Sequence, residues 1–245
     1  MMAWPNGYGR QILAEVDSTN LEAARVLPNL AGPKWICALR QTAARGRRGR
    51  AWSNPPGNFA ATLVMRPLET PNVVALRSFV ASLALYDAFV MLTGIETGLS
   101  LKWPNDVLMN GGKVAGILLE GLPGGGLAIG IGVNLIAAPS AEDVEPGAVS
   151  PVSFLAETGV RVTPDQMLDA LAEAYARREA SFVTYGFLPI REAWLARAAR
   201  LGEKMIARTG TQEIAGVFET VDATGQLVLN TPSGRMNIAA ADVFF

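Results

Sequence analysis

The sequence predicts an α+β fold in which helices pack against a mixed β-sheet, followed by a small β domain. Half of its 245 residues are apolar, which is enough to bury a full core. Short apolar runs typical of strands alternate with segments of helical periodicity as far as residue 200. Beyond Gly202 this pattern gives way to short strands separated by Gly or Pro turns. We therefore expect a large domain over residues 1–200 and a small one over residues 201–245.

The first part of the large domain contains two predicted helices among several predicted strands. The sequence TNLE at residues 19–22 has the form of a capping box, so a short helix should begin there and end near Leu27, before Pro28. Apolar residues at helical spacing predict a second helix over residues 71–92. The predicted strands cover residues 35–41, 59–66, 99–103, 107–109, 114–120 and 127–135.

The rest of the chain begins with the clearest helix start in the sequence. In TPDQ at residues 163–166, the threonine can cap, the proline takes the first helical position and the glutamine completes a capping box. This helix should run to Tyr185, with Gly186 ending it, and another should cover residues 188–200. Short strands over residues 204–208, 213–219, 226–230 and 235–239 then favour a small β-barrel.

Composition excludes several common kinds of site. Cys37 is the only cysteine, so the chain cannot form an internal disulfide. It has no histidine, which excludes the common zinc sites and histidine-based catalytic triads. Its chemistry must therefore depend on Lys, Arg, Asp, Glu and backbone groups.

The apolar segments do not have the form of targeting or membrane-spanning sequences. The first 20 residues lack the charged start and continuous apolar run of a signal peptide. The apolar run over residues 73–93 is interrupted by Arg77 and Asp87, and residues 121–141 contain prolines and many glycines. We therefore expect a cytoplasmic protein that has no membrane partner.

One segment combines arginines with glycines in a chain whose net charge is −1. Within residues 41–58, glycines leave backbone N–H groups accessible and guanidinium groups can neutralise a phosphate bidentately. This pattern suits a polyphosphate or phosphoanhydride, a nucleic-acid arm or a solvated basic loop, and by itself it leaves the three open. The residues that carry it, here called the glycine-arginine loop, are Arg45, Gly46, Arg47, Arg48, Gly49 and Arg50.

A second segment, residues 101–121, has the pattern of a β-hairpin with charged groups near its strand ends. A short apolar strand stops at Trp103-Pro104, and an Asn-Gly-Gly turn precedes Lys113 and the next strand. This places the Asp106 carboxylate near an ammonium group, so a charged substrate group could lie between them. The segment is not a Walker A site, because no Ser or Thr follows the lysine.

Taken together, these segments resemble the biotin protein ligases. Ordered motifs of that family are matched from about residue 15 to residue 135, which is far more specific than any one motif. Ala44 stands where the family loop usually has its first glycine, and a positive φ there would strain an alanine. The matching segments are EVDSTN at 15–20, Gln41 with the glycine-arginine loop, KWPND at 102–106, KVAGI at 113–117 and GIGVNL at 130–135.

The resemblance implies both a fold and an activity. The fold would be that of the class II synthetases and biotin/lipoate ligases, with an SH3-like C-terminal barrel. The enzyme would form biotinyl-5′-AMP from biotin and MgATP, and then transfer biotin to a lysine of a biotin carboxyl carrier protein such as that of acetyl-CoA carboxylase. No enzyme nucleophile is required, which agrees with a chain that lacks histidine.

The resemblance also assigns residues to the two substrates. Lys113 and Arg47 would act on the reacting carboxylate and phosphate, and Asp106 would bind Mg²⁺. The residues expected at biotin are Ser18, Thr19, Asn20, Gln41, Arg45, Gly46, Arg47, Lys113 and Gly116. Those expected at ATP and the adenylate are Arg45, Arg47, Arg48, Arg50, Trp52, Asn105, Lys113 and Asn134, with Trp52 stacked on adenine and Asn134 at the purine edge.

Three other functions fit the sequence less well: a lipoate or octanoyl ligase, an RNA-binding module and a DNA-binding repressor. A lipoate or octanoyl ligase shares the fold, but Gln41 and the KWPND segment favour biotin. An RNA-binding module is disfavoured by the overall acidity. Only about 14 residues precede Glu15, too few for the DNA-binding domain of repressor members, so we expect no nucleic-acid partner. Monomer and homodimer both remain open.

Overall fold

The computed structural model describes residues 3–140, 144–145, 147–210 and 212–245, and its larger part is built on one mixed β-sheet. The seven strands of this sheet are β1 (Gly9–Leu13), β2 (Lys34–Ala38), β3 (Phe59–Met65), β4 (Leu99–Lys102), β5 (Asp106–Met109), β6 (Gly112–Leu122) and β7 (Gly126–Val133). Their order is β1-β2-β3-β7-β6-β5-β4. Strands β1 and β2 are parallel, and the other neighbours are antiparallel. The predicted mixed sheet is confirmed, and β1 is an addition to it.

Helices pack on both faces of the sheet. They are α1 (Thr19–Val26), α2 (Pro71–Ala75), α3 (Arg77–Thr93), α4 (Phe154–Thr158), α5 (Pro164–Tyr185) and α6 (Phe187–Leu195). Helix α1 lies on the face of a small second cluster that includes Ile36 and Val64, opposite the main core. Helix α3 packs between α5 and strands β4 to β6, and most of its side chains are buried. Residues Pro71–Thr93 are long and apolar enough to span a membrane, but 67% of their most apolar window is buried inside the protein. A core helix has these same properties.

The predicted start and end of α5 are correct, whereas the predicted cap of α1 and the predicted end of α6 are not. Helix α5 begins with the predicted capping box, in which Thr163 and Gln166 bond each other's backbone N–H, and Gly186 ends it. The predicted capping box at residues 19–22 is wrong, because Ser18 precedes α1 and makes no side-chain cap. Helix α6 ends at Leu195 instead of residue 200, because Ala199 N–H bonds the Leu101 carbonyl of edge strand β4.

The small domain is a five-stranded antiparallel sheet. Its strands are β8 (Lys204–Arg208), β9 (Glu213–Val221), β10 (Leu227–Thr231), β11 (Gly234–Ile238) and β12 (Asp242–Phe244). Their order is β11-β10-β9-β8-β12, and β12 was not predicted. The predicted small β domain is thus confirmed, and within the described part of the chain no ladder joins β11 to β12, so hydrogen bonds do not close the sheet into a barrel.

A buried ion pair ties α3 to α5. Arg77 is 1% exposed, and its Nη2 lies 2.7 Å from Glu179 Oε1 and 2.8 Å from Glu69 Oε1. The Tyr175 hydroxyl donates to Glu179 Oε2 at 3.1 Å. Burial, followed by the charge of Glu179, raises the pKa of Tyr175 well above its usual value. The guanidinium thus pairs with two carboxylates in a buried position, although its Nη1 has no hydrogen-bond partner among the described residues.

We predict that Glu179→Ala lowers the free energy of unfolding by about 3–5 kcal/mol, because it leaves a buried guanidinium without its main partner. Urea denaturation followed by tryptophan fluorescence measures this change. The control is Glu173→Ala, the same substitution at a half-buried position of the same helix. Equal losses in the two variants would show that the ion pair contributes no more than the packing of the side chain.

Candidate functional site

A cavity of about 870 Å³ lies where β6 and β7 meet the glycine-arginine loop. Its walls also include the start of α1, strand β12 of the small domain, and Pro139, Val144, Glu145, Ala148, Val149 and Pro151. Of the residues predicted for the site, Arg48 is the one that does not line it. Those that do are Ser18, Thr19, Asn20, Gln41, Arg45, Gly46, Arg47, Arg50, Trp52, Asn105, Asp106, Lys113, Gly116 and Asn134.

A continuous hydrogen-bonded series of polar side chains, here called the polar chain, reaches the cavity through Gln41, Thr19 and Asn20. Its members, in order, are Gln41, Thr19, Thr62, Asn20 and Glu120. Gln41 Oε1 accepts from the Thr19 backbone N–H at 2.8 Å and from its hydroxyl at 3.2 Å. The Thr62 hydroxyl lies 2.8 Å from Thr19 Oγ1 and 2.6 Å from Asn20 Oδ1. Asn20 Nδ2 donates to Glu120 Oε2 at 2.6 Å. These bonds explain why Thr19 does not cap α1.

Glycines in β6 and β7 form the floor of the cavity because side chains from other segments lie directly on them. A Cβ at Gly132 would lie 2.5 Å from the indole of Trp52, and one at Gly116 would lie 3.2 Å from it. A Cβ at Gly130 would lie 2.3 Å from Asn20 Oδ1. Real Cβ atoms essentially never come within 3.0 Å, so Gly132 and Gly130 set the positions of Trp52 and Asn20, and Gly116 adds a tight contact with Trp52.

The centre of the cavity holds one carboxylate between several cations. Asp106 Oδ1 lies 2.7 Å from Lys113 Nζ, and Oδ2 lies 3.8 Å from Lys102 Nζ. Burial raises the pKa of Asp106, but Lys113, Lys102 and Arg47 outweigh burial and hold the pKa below its usual value. Burial lowers the pKa of Lys102 by more than Asp106 raises it. Sequence reasoning assigned no role to Lys102, although the KWPND motif begins with it.

The predicted role of Asp106 as a Mg²⁺ ligand does not fit this geometry. Its carboxylate is 12% exposed and already faces two ammonium groups, which would repel a divalent cation. Across the described ranges, no group of three or more acidic, cysteine or histidine side chains could hold a metal ion. Asp106 instead pairs with Lys113 and keeps its ammonium group in place.

The small domain supplies a carboxylate to the glycine-arginine loop. Arg48 and Arg50 donate to Asp242 Oδ2 at 2.7 and 2.6 Å, and Arg47 lies 3.6 Å from Oδ1. Arg48 therefore points to β12 and not into the cavity, which corrects its predicted contact with the nucleotide. Nothing near Asp242 in the sequence indicated this role.

The expected backbone strain at Ala44 is not present. Its φ is not among the positive values found in the described residues, whereas Arg48 has a φ of 55°. Ala44 is thus unstrained, and its carbonyl accepts from the Trp52 backbone N–H at 3.0 Å.

A third part of the cavity combines the indole of Trp52 with the side-chain amide of Asn134. Asn134 is 2% exposed, and its Nδ2 donates to the Val152 carbonyl at 3.2 Å. Its Oδ1 has no hydrogen-bond partner within the described part of the chain. A buried acceptor without a partner is costly, so a ligand N–H is the natural partner for it.

The loop that leads into α1 has its own ion pair. Asp17 accepts from the Ser18 backbone N–H at 2.7 Å and pairs with Arg25 Nη2 at 2.5 Å. The hydrogen bond from Arg25, followed by that from the Ser18 backbone, lowers the pKa of Asp17 to about 2. The charged form of Asp17 therefore holds this loop against α1.

We predict that Arg25→Gln raises the pKa of Asp17 from about 2 toward its usual 3.8. Because the folded-state pKa is lowered, the stabilisation is complete above the unfolded-state value and is lost as the pH falls through about 2. Carboxyl NMR titration of Asp17 measures the change, with Arg10→Gln, which breaks the exposed pair with Asp169, as the control. An unchanged pKa in Arg25→Gln would show that Arg25 does not cause the shift.

Similarity to known proteins agrees with this geometry. A family described as the biotin/lipoate A/B protein ligase family matches residues 11–135, and the biotin protein ligase C terminal domain matches residues 201–245. The biotin–[acetyl-CoA-carboxylase] ligase of Paracoccus denitrificans is 57% identical over 96% of this chain and 99% of its own length. The bifunctional ligase/repressor BirA of Bacillus subtilis is 30% identical over 95% of this chain and 73% of its own length.

Among solved structures, the biotin protein ligase from Aquifex aeolicus in complex with biotin and ATP superposes with a TM-score of 0.85. It is 26% identical, and the match covers 96% of this chain and 98% of that one. The family match spans just over half of the chain, and the relative from Paracoccus covers nearly all of it. The chain therefore belongs to the biotin protein ligase family.

Proposed function

We propose that this protein is an ATP-dependent biotin protein ligase, which forms biotinyl-5′-AMP and transfers biotin to a lysine of a carrier protein. The observation that carries the proposal is that one cavity joins three different recognition surfaces. The polar chain suits a cyclic urea. The cations around Asp106, which are Lys113, Lys102 and Arg47, suit a carboxylate and a phosphate, and Trp52 with Asn134 suits a nucleobase. The names of the relatives support the same activity.

The polar chain favours biotin over lipoate or octanoate. Thr19 and Gln41 line the cavity, and a ureido ring offers N–H donors and a carbonyl acceptor to such side chains. Lipoate and octanoate have only apolar groups to place there, so they would leave these polar atoms unpaired. A site built around hydrogen bonds rejects analogues that lack them.

Adenylation requires charge neutralisation at the reacting atoms. A biotin carboxylate oxygen attacks the α-phosphorus of ATP, a new P–O bond forms, and the bond to the bridging oxygen breaks to release pyrophosphate. Lys113, held by Asp106 at 2.7 Å, and Arg47 face the cavity and would stabilise this developing charge. In the second step the neutral acceptor amine attacks the acyl carbon. AMP leaves with the electron pair, and the amine loses a proton to give the amide.

Several properties of this activity are further proposals. We expect ATP to arrive as its Mg²⁺ complex, held by phosphate oxygens and not by Asp106, whose carboxylate faces two ammonium groups. We expect the acceptor to be the carrier domain of acetyl-CoA carboxylase and the location to be the cytoplasm. Neither nucleic acid nor membrane is needed for the reaction, and a homodimer remains to be tested.

We predict that pyrophosphate release from MgATP depends on biotin. A coupled pyrophosphate assay with biotin, lipoate or octanoate as the carboxylate measures this dependence. Biotin should support release, and the other two should not, because they cannot use the polar chain. If lipoate or octanoate serves as well as biotin, the substrate assignment is wrong.

Gly132→Ala is predicted to raise the KM for ATP by roughly 10- to 100-fold, because the new Cβ would displace Trp52. Stacking of a base on an aromatic side chain is worth about 1–3 kcal/mol, which sets this range. The control is Gly121→Ala on β6, where a Cβ would meet nothing within 4 Å. A normal KM for ATP in Gly132→Ala would mean that the adenine does not stack on Trp52.

Arg47→Ala is predicted to speed the dissociation of preformed biotinyl-AMP by about 10- to 100-fold, the factor for one charge-assisted hydrogen bond of about 1.5–3 kcal/mol. Stopped-flow release from the purified complex measures the rate. Arg40→Ala is the matched control, because Arg40 pairs with Glu15 on the exposed surface. Equal release from the wild type and Arg47→Ala would show that Arg47 does not hold the intermediate.

A further inference from the structure

Glu120 touches the candidate site without lining it. It lies on β6, and its side chain is 31% exposed. Its Oε2 accepts from Asn20 Nδ2 at 2.6 Å, and its Oε1 lies 3.3 Å from Arg45 Nη2. Both of these partners line the cavity. Glu120 thus connects the polar chain to the glycine-arginine loop from outside.

The carboxylate fixes the orientation of the Asn20 amide. A carboxylate can only accept hydrogen bonds, so Asn20 must present its NH₂ group to Glu120. The amide oxygen is then turned to Thr62, 2.6 Å away. The amide oxygen occupies space that a side chain at position 130 would fill, because a Cβ there would lie 2.3 Å from Asn20 Oδ1.

This orientation constrains the hydroxyl hydrogens of Thr62 and Thr19. The Asn20 oxygen carries no hydrogen, so the single Thr62 hydroxyl hydrogen goes to it. The Thr19 hydroxyl hydrogen then serves the contact with Thr62 at 2.8 Å or the contact with Gln41 Oε1 at 3.2 Å. In both cases Thr19 Oγ1 can only accept from a ligand. Gln41 Oε1 already accepts from Thr19, so its NH₂ group is left to donate.

We propose that Glu120 is a positioning residue that sets the donor and acceptor polarity of the biotin pocket through Asn20, Thr62 and Thr19. The inference rests on the proposed function, because a ureido ring is the group that matches an acceptor at Thr19 and a donor at Gln41. Replacing the acceptor-only carboxylate by an amide removes the constraint. Asn20 can then turn over, Thr62 can donate to Thr19, and a hydroxyl hydrogen can face the ureido N–H.

The test is Glu120→Gln, which keeps the size of the side chain but replaces its acceptor-only carboxylate by a neutral amide, and which also removes the charge that faces Arg45. Calorimetric titration with biotin alone should give a Kd about tenfold higher than that of the wild type, the factor for one hydrogen bond. The KM for ATP should stay within about twofold, because the contact of Glu120 with Arg45, which is also expected at ATP, is long at 3.3 Å and joins two partly exposed side chains. A Kd for biotin within twofold of the wild type overturns the proposal.

The matched control is Glu157→Gln. Glu157 Oε2 accepts from Asn110 Nδ2 at 2.8 Å, which is the same amide–carboxylate pair outside the cavity. This variant should bind biotin normally. A rise of both biotin Kd and ATP KM in Glu120→Gln would indicate general disruption of the site and would also overturn the proposal.

A double-mutant cycle tests the route through Asn20. If Glu120 acts by orienting that amide, Glu120→Gln should change the biotin Kd by less than about twofold in an Asn20→Ala background. Additive losses would contradict the inference. Failure of the wild type to bind biotin at all would refute the proposed function itself, so the two ideas fail in different ways.

Discussion

The candidate active site depends on one carboxylate that lies between cations. Lys113, Lys102 and Arg47 all approach a cavity with little access to water, and their mutual repulsion would be large without a negative charge among them. Asp106 supplies that charge, 2.7 Å from Lys113 and 3.8 Å from Lys102. A tight β4–β5 hairpin places it there, since Lys102 and Asp106 are directly paired across the two strands. The hairpin therefore positions the charge before any substrate binds.

Near this carboxylate, two glycines without side chains allow the indole of Trp52 to lie directly on the sheet. Gly116 and Gly132 face each other across β6 and β7, and the indole of Trp52 rests on both. A sheet with a side chain at these positions would hold the indole farther away. The flat floor thus places an aromatic surface within reach of the ammonium group of Lys113, whose Nζ lies 5.6 Å from the ring.

The sequence predicted the parts of the site that lie within single segments. Lys113 and Gly116 belong to one motif and the arginines to one loop, so the resemblance of these segments to the biotin protein ligases was enough to assign them. Asn20 and Glu120 are 100 positions apart, and no local pattern links them.

The errors in the predicted fold have a similar origin. The capping box at residues 19–22 was plausible locally, but Thr62 and Gln41 use the Thr19 hydroxyl across the sheet. Strand β12 has three residues, too few for a periodic signal, and its position is fixed by pairing with β8. Helix α6 likewise ends early because of a partner, the edge strand β4, that its own residues do not reveal. Contacts between distant segments decided each of these features.

The pairing of Asp242 with Arg48 and Arg50 couples the folding of the small domain to the behaviour of the loop. Arg47 adds to the link through contacts of 3.4 Å with the Ala241 carbonyl. Any fluctuation that detaches the three-residue strand β12 therefore releases the loop as well, and a ligand that orders the loop stabilises β12 by the same free energy. The order of the loop beside the cavity is consequently tied to the local unfolding equilibrium of a short strand almost 200 residues away in sequence, at an edge of a different sheet.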